Sequence, residues 1–346
     1  MKSIFLVRSL TLIVCLLLIG FTAQAATTLT SVKTDKPVLL SGTVDKVWDK
    51  AAPLKVTLDN LPYEPNTGYD GMKETTVTMK SLYDDEYIYF LLQYKDPTES
   101  LERFPWIKQP DSSWKQMKNK DSTGHDNTYY EDKVGFFWNI NTKGFESDGC
   151  AIACHMDIEG DTSAGRKFTD NPGETIDMWH VKSVRTSPLG QVDDQFVDST
   201  SDGKTNKGWG RKGDLKTGGG YTNNINKDKT HPAYMNFPPS KAAKYYVLPS
   251  LKTPFVDIYK PGDVVPGIII TPFQGPRGDI EMRGKWDKGV WTVEIRRKLV
   301  TRGEKANIQD VQFDDLSKTY NFGIAVFDNS QINHLFHDDV LTLKFK

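Results

Sequence analysis

Short runs of aromatic and β-branched residues, each closed by a polar turn, fill this chain from residue 77 to its end. Tyr87–Lys95 reads YIYFLLQYK and residues 134–140 read VGFFWNI, compositions that suit a pleated surface better than a helix. Asp84-Asp85-Glu86 separates residues 77–83 from Tyr87–Lys95, and Asp287-Lys288-Gly289 separates 279–286 from 290–297; both are hairpin signals. Further strands are expected at 245–248, 264–270, Tyr320–Phe327 and 340–345. Amphipathic helical periodicity is nearly absent, and one short helix is expected within 44–52. The pattern predicts an all-β fold, a β-sandwich with long loop insertions and few short helices.

Two polar stretches, 99–132 and 197–240, break the strand pattern; the second contains Gly218-Gly219-Gly220. Both read as long surface insertions, and loops of that length in a compact domain are usually functional or disordered. No internal repeat is visible, and nothing resembling an interdomain linker precedes the last strands. Residues 26–346 are therefore expected to form one domain, since sandwiches reach about 250 residues as single units.

The N-terminal segment sets the expected compartment. Lys2 and Arg8 precede an apolar run from Leu10 to Phe21, and Ala23-Gln24-Ala25 offers a small–x–small cleavage site. Residues 1–25 thus read as a signal peptide cleaved near Ala25, the run being too short for a span of about 20 apolar residues. Cys15 lies in mid-run with no lipidation signature at a cleavage point. Periplasmic export is expected, with no integral membrane span in the mature chain. The full chain carries 44 Lys and Arg against 45 Asp and Glu, and Lys2 and Arg8 leave with the segment. A balance this close to neutral argues against nucleic acid, which needs a clustered basic face, and against a polybasic membrane-surface protein.

The mature chain keeps two cysteines, within Gly149-Cys150-Ala151-Ile152-Ala153-Cys154-His155-Met156. Two thiols followed at once by an imidazole suit covalent haem attachment, with thioethers from Cys150 and Cys154 and His155 as axial ligand. The spacing is one residue longer than the usual C-x-x-C-H, so two other readings stay open on the residues alone. A Cys150–Cys154 disulfide would close a very short loop and leave His155 unexplained. A structural zinc site wants four ligands, and the remaining histidines are scattered at 125, 180, 231, 334 and 337.

Asp177-Met178-Trp179-His180-Val181-Lys182 forms a second constellation. On a strand, His180 and Lys182 share one face while Trp179 and Val181 share the other. An imidazole and an amine on one face can supply a sixth ligand or bind propionates, and Arg185 can fork onto a carboxylate. The plainer reading is a half-buried strand with a solvated lysine. Met156, Met178, His334 and His337 are further candidates for the distal position; Met156, next to His155, can hardly reach the opposite face.

At these residues the chain resembles the cytochrome c-552/dimethyl sulfoxide reductase-like haem-binding domain family, whose relatives include the γ subunits of ethylbenzene dehydrogenase and similar molybdoenzymes. The resemblance runs through Asp45 and Trp48, residues 82–89 and 131–134, and the Cys150–His155 box. It continues through residues 177–182 with Arg185, 188–190 with Asp193 and Asp194, then 289–294 with 297–299 and 322–328. It implies a single β-sandwich related to sugar-binding modules, with haem at one edge and a C-x-x-x-C-H box in a c-type subset. It implies one covalent haem c, with Trp179, His180, Lys182 and Arg185 in the pocket wall. His180 is favoured as the sixth ligand over Lys182, which the Met/Lys pair of the γ subunits keeps as the alternative.

The function expected is that of a monohaem c-type cytochrome, an electron carrier rather than an enzyme, working with a redox partner protein. The alternative is a haem-binding subunit of a molybdenum-dependent oxidoreductase, receiving electrons from an iron–sulfur subunit. A sugar-binding sandwich would leave the Cys-His box unused, and haem catalysis or sensing would need an open sixth position. No Ser-His-Asp arrangement, phosphate loop or nucleotide fingerprint supports another enzyme class.

Overall fold

Thirteen strands hydrogen-bond into one continuous sheet in this computed structural model, which describes residues 27–155, 165–238 and 244–346. The expected signal peptide and Met156 lie outside those residues. In chain order the strands are β1 Thr28–Lys33, β2 Leu54–Leu58, β3 Thr75–Tyr83, β4 Tyr87–Lys95, β5 Lys133–Asn139, β6 Ile176–Lys182 and β7 Asp193–Val197. There follow β8 Arg211–Gly213, β9 Glu281–Asp287, β10 Val290–Lys298, β11 Tyr320–Phe327, β12 Leu335–Phe336 and β13 Leu341–Phe345. Across the sheet the order is β8-β7-β6-β5-β11-β13-β1-β3-β4-β10-β9, with β2 beside β3 and β12 beside β11. Within this sheet β1 pairs in parallel, with β13 and with β3, and the other described strand pairs are antiparallel.

The sheet bends over on itself, so the β3-β4-β10 end faces the β6-β5-β11 end as a sandwich. Phe90 of β4 lies 6.3 Å from the ring of Phe136 and 5.6 Å from that of Trp138, both on β5, and 5.7 Å from Trp179 on β6. These rings, with Phe322 and Ile324, form the middle of the core. Strand β4 carries an unbroken apolar run because both its faces are covered. Phe90, Leu92 and Tyr94 look into the sandwich, while Tyr89 and Leu91 pack against Trp48. Trp48 sits in the short turn Lys46–Lys50 and donates its indole N–H to Glu294 of β10 at 3.1 Å. The hairpin β9–β10 closes through Lys288 and Gly289, both at positive φ (50° and 83°), the conformation a two-residue twisted hairpin requires.

The two polar stretches are built of short strands rather than open loop. Trp106–Lys108 pairs with Trp114–Gln116 and with Val264–Val265; Gly218–Asn223 pairs with Ile268–Gln274; Tyr234–Asn236 pairs with Lys252–Pro254. Trp106, buried, donates its indole N–H to the Asn224 carbonyl at 2.7 Å and so ties one stretch to the other. The strand expected at 245–248 reduces to a single bridge, Val247 to Ile269. The helices described are single turns, Phe145–Asp148 and Ala306–Gln309 among them.

Candidate functional site

Strand alternation decides which side chains leave the sandwich. With β6, β5 and β11 side by side, Met178 aligns with Phe137 and Gly323, His180 with Gly135 and Ala325, and Lys182 with Lys133 and Phe327. These three rows form the outer face. The rows between them, Trp179 with Phe136 and Ile324 among them, fill the core.

The Cys150 segment lies on that outer face. After the helical turn Phe145–Asp148, Gly149–Ala153 makes a 3-10 turn and Cys154–His155 pairs with Arg166–Lys167. Phe145, Ile152 and Ala153 pack on Phe137, Ile176 and Met178. The contact is close: a Cβ placed on Gly323 would meet Cys150 Cβ at 3.2 Å and its Sγ at 3.5 Å. Both thiols are free. Burial, with Cys154 beside it, pushes the Cys150 thiol up to about 12.

Three adjoining cavities run along the face. The smallest, about 40 Å³, is apolar and has Gly135, Gly323 and Ala325 on its floor and both cysteines in its wall. A second, about 250 Å³, also holds both cysteines, with Tyr63 and His334. The third, about 220 Å³, is lined by His180, Lys182, Arg185, Lys167 and Trp209.

His180 is 4 % exposed, yet neither of its ring nitrogens has a hydrogen-bond partner. Burial, reinforced by Lys182 and Lys133, holds its pKa well below the usual imidazole range, so the ring is neutral and keeps a lone pair. His334 is the second imidazole here. Its Nδ1 lies 2.6 Å from the Ile332 carbonyl and must donate to it, which leaves Nε2 as the basic nitrogen beside the cysteines. Burial and Lys167 push its pKa down to about 3. His337 is taken up differently, its Nε2 accepting the Ile324 N–H at 3.3 Å.

The cations of the third cavity are anchored. Lys182 pairs with Asp193 and donates to Tyr221 Oη at 3.1 Å; Arg277 reaches the same carboxylate at 2.6 Å. Burial opposes the charge of Asp193, but Lys182 and Arg277 outweigh it and hold the carboxyl far below its usual range. Arg185 pairs with Glu131, which also accepts the Val184 and Arg185 N–H groups at 2.7 and 2.9 Å.

Of the residues singled out in the sequence, Cys150, Cys154, His180, Lys182 and Arg185 lie along this one face. Trp179 does not: it is fully buried in the core, donating its indole N–H to Asp177 at 3.0 Å. His155 is absent from all three cavity walls. Its ring stacks on Phe168 at 3.6 Å, and its Nε2 lies 3.1 Å from the Phe168 carbonyl. Adjacent positions on a strand point to opposite sides, so Cys154 facing the cavities turns His155 away. Met178 joins the apolar packing with Phe137 and Ile176. The small floor was not read from the sequence, although Gly135 two residues before Phe137, and Gly323 two before Ala325, signal a face kept low between bulky neighbours. Nor was Lys167, which lines all three cavities from Arg166–Lys167.

The sequence profile of the family described as ethylbenzene dehydrogenase matches residues 45–338. No curated protein matches the chain. Among solved structures, a carbohydrate-binding module of family 9 from Caldicellulosiruptor kristjanssonii in complex with glucose aligns over 92% of this chain and 95% of its own at 11% identity, with a TM-score of 0.34. The same organism's family 9 module in complex with cellotriose aligns over 92% and 94% at 12% identity, with a TM-score of 0.33. Among the described residues, no helix is long and apolar enough to cross a membrane.

Proposed function

The chain belongs to the ethylbenzene dehydrogenase family, and on that premise we propose that it is a periplasmic electron-transfer protein carrying one covalent haem c. The observation that carries this reading is His180, a buried neutral imidazole with both nitrogens unpartnered, on the same sheet face as two free thiols. A polar ring buried without a partner costs roughly 1–3 kcal/mol unless something in the site satisfies it. The surroundings match a flat apolar ligand with anionic edges: a Gly/Ala floor, thiols in one wall, and Lys182, Arg185 and Lys167 in the adjoining cavity. In this reading Cys150 and Cys154 form the thioethers, His180 is an axial ligand, and the cations receive propionates. When bound, the haem supplies a one-electron couple whose potential its axial ligands set. Lys182 is the weaker ligand candidate because Asp193 and Tyr221 already hold its amine. For His155 to serve as the other axial ligand its ring must leave Phe168; His334, with Nε2 free beside the thiols, is the alternative that the geometry favours.

The test is an optical spectrum of protein from a host that matures c-type cytochromes, followed by a pyridine haemochrome and a haem-stained denaturing gel. Haem that stays on the denatured wild-type chain, and is lost with Cys150→Ser or Cys154→Ser, supports attachment at the box. A wild-type chain without covalent haem overturns it. Whether the protein is a free carrier or a subunit of a molybdenum-dependent oxidoreductase is decided by co-purification with larger subunits.

A further inference from the structure

Behind the core side of β6 and β7 lies a second set of buried groups that the haem reading does not use. Asp177 on β6, Asp194 on β7 and Asp310 each offer a carboxylate oxygen, and these oxygens lie within 4.8 Å of one another. Asp214, which follows β8, turns its carboxyl against that of Asp310 and fixes its own backbone by donating its N–H to the Asp194 carbonyl at 3.2 Å. Asp177 and Asp194 are 0 % exposed, Asp310 2 % and Asp214 3 %. Water therefore screens none of them.

Six of their oxygens accept no N–H or hydroxyl hydrogen bond: both of Asp194, both of Asp214, Oδ1 of Asp177 and Oδ1 of Asp310, the Asp214 carboxyl meeting only that of Asp310. Arg297 is ion-paired with the set, its guanidinium 3.6 Å from Asp177 and 3.9 Å from Asp310, while Arg277, near Asp214, is taken up by Asp193. Four carboxyl groups thus crowd one guanidinium in a dry interior, where they can ionise together only if further positive charge joins them. The asymmetry of the set is also informative. Its oxygens with an ordinary role are satisfied: Asp177 Oδ2 accepts the Val311 N–H at 2.9 Å, and Asp310 Oδ2 accepts the Thr301 hydroxyl at 2.5 Å. The orphans are the oxygens left over. A comparable trio, Asp96, Asp132 and Asp328, keeps a single orphan, Asp96 Oδ2, because its other oxygens accept N–H or hydroxyl groups.

We propose that Asp177, Asp194, Asp214 and Asp310 hold a calcium ion. Calcium takes six to eight oxygens in flexible geometry, whereas magnesium keeps several waters and is rarely caged by protein alone. Zinc favours nitrogen and sulfur, which the set lacks. The ion joins β6 and β7 to the stretch after β8 and to the segment entering β11, so it acts as a structural clamp on the strands that carry His180 and Lys182.

Terbium, a calcium-sized luminescent ion, provides a direct probe, since the Trp179 indole donates to Asp177 and can sensitise it. Full-length protein is stripped with EDTA, desalted, and titrated with terbium, then with calcium, under tryptophan excitation; thermal unfolding is followed in parallel. The expected results are sensitised emission saturating at one ion per chain, its displacement by calcium, and a rise of several degrees in Tm with calcium. Asp214→Asn and Asp194→Asn are expected to lose at least tenfold in terbium affinity and the calcium-dependent Tm shift, while Asp132→Asn retains both. Wild-type protein that neither binds terbium nor shifts its Tm with calcium overturns the proposal. So does binding that Asp132→Asn abolishes and Asp214→Asn leaves intact.

Discussion

His180 and Lys182 share one face of β6, and their burial costs differ in kind. Lys182 is buried as one arm of an ion network with Asp193, Tyr221 and Arg277. Lys182→Met leaves a buried carboxylate with one cation fewer, and is expected to destabilise the protein by about 3 kcal/mol, read from urea unfolding. His180 makes no hydrogen bond, so His180→Ala is expected to cost far less stability than Lys182→Met while changing the haem. In haem-loaded protein the variant should keep covalent haem and lose the low-spin spectrum of a six-coordinate iron; an unchanged spectrum would remove His180 from the ligand set. The division between Trp179 and His180 was legible in the sequence, because alternation on a strand is purely local. What lies over each face was not. The turn Gly149–Ala153 reaches Gly323 from far along the chain, and no spacing rule places it there.

At the scale of elements, the hairpins and long strands were readable because each carries its own signal. Tyr87–Lys95 and Tyr320–Phe327 appear with the bounds their sequences suggest. The stretches 99–132 and 197–240 hid their strands, since three-residue strands such as Trp106–Lys108 are too short for alternation to register and take their order from partners elsewhere. The floor of the site belongs to β5 and β11 together. Gly323→Val is expected to leave the β5–β11 ladder paired, because its backbone conformation suits a side chain, yet to push Cys150 off the face. Overpacking of this kind costs about 1–3 kcal/mol. The expected outcome is a small fall in Tm with a marked fall in the haem-to-protein ratio; normal haem content would show that the floor does not shape the site.

Across the whole molecule, the two layers are joined at one end by buried carboxylates whose protonation makes stability depend on pH. Asp96, just after β4, meets Asp132, just before β5, and Asp328, just after β11. Burial, with Asp328 beside it, raises Asp96 from 3.8 to about 7, and burial with Asp96 beside it raises Asp132 well above the usual range. A raised folded-state pKa means that the folded protein binds the proton more tightly than the unfolded chain. The resulting stability is fully present below about pH 4 and is lost as pH rises towards 7. Asp193 works in the other direction. Lys182 and Arg277 overcome its burial and hold it low, so its contribution is present above about pH 4 and is lost in acid. Unfolding free energy of chelator-treated protein should therefore decline between pH 4 and 7 by something on the order of 3 kcal/mol from the Asp96 group. Asp96→Asn keeps the shape and cannot ionise, so its decline over that window should be smaller than the wild type's by about that amount, with the variant overtaking the wild type near neutral pH. Urea unfolding of the two proteins at intervals from pH 4 to 8 measures this directly. Parallel curves would mean that Asp96 is already ionised in the folded protein and that its charge is compensated within the cluster.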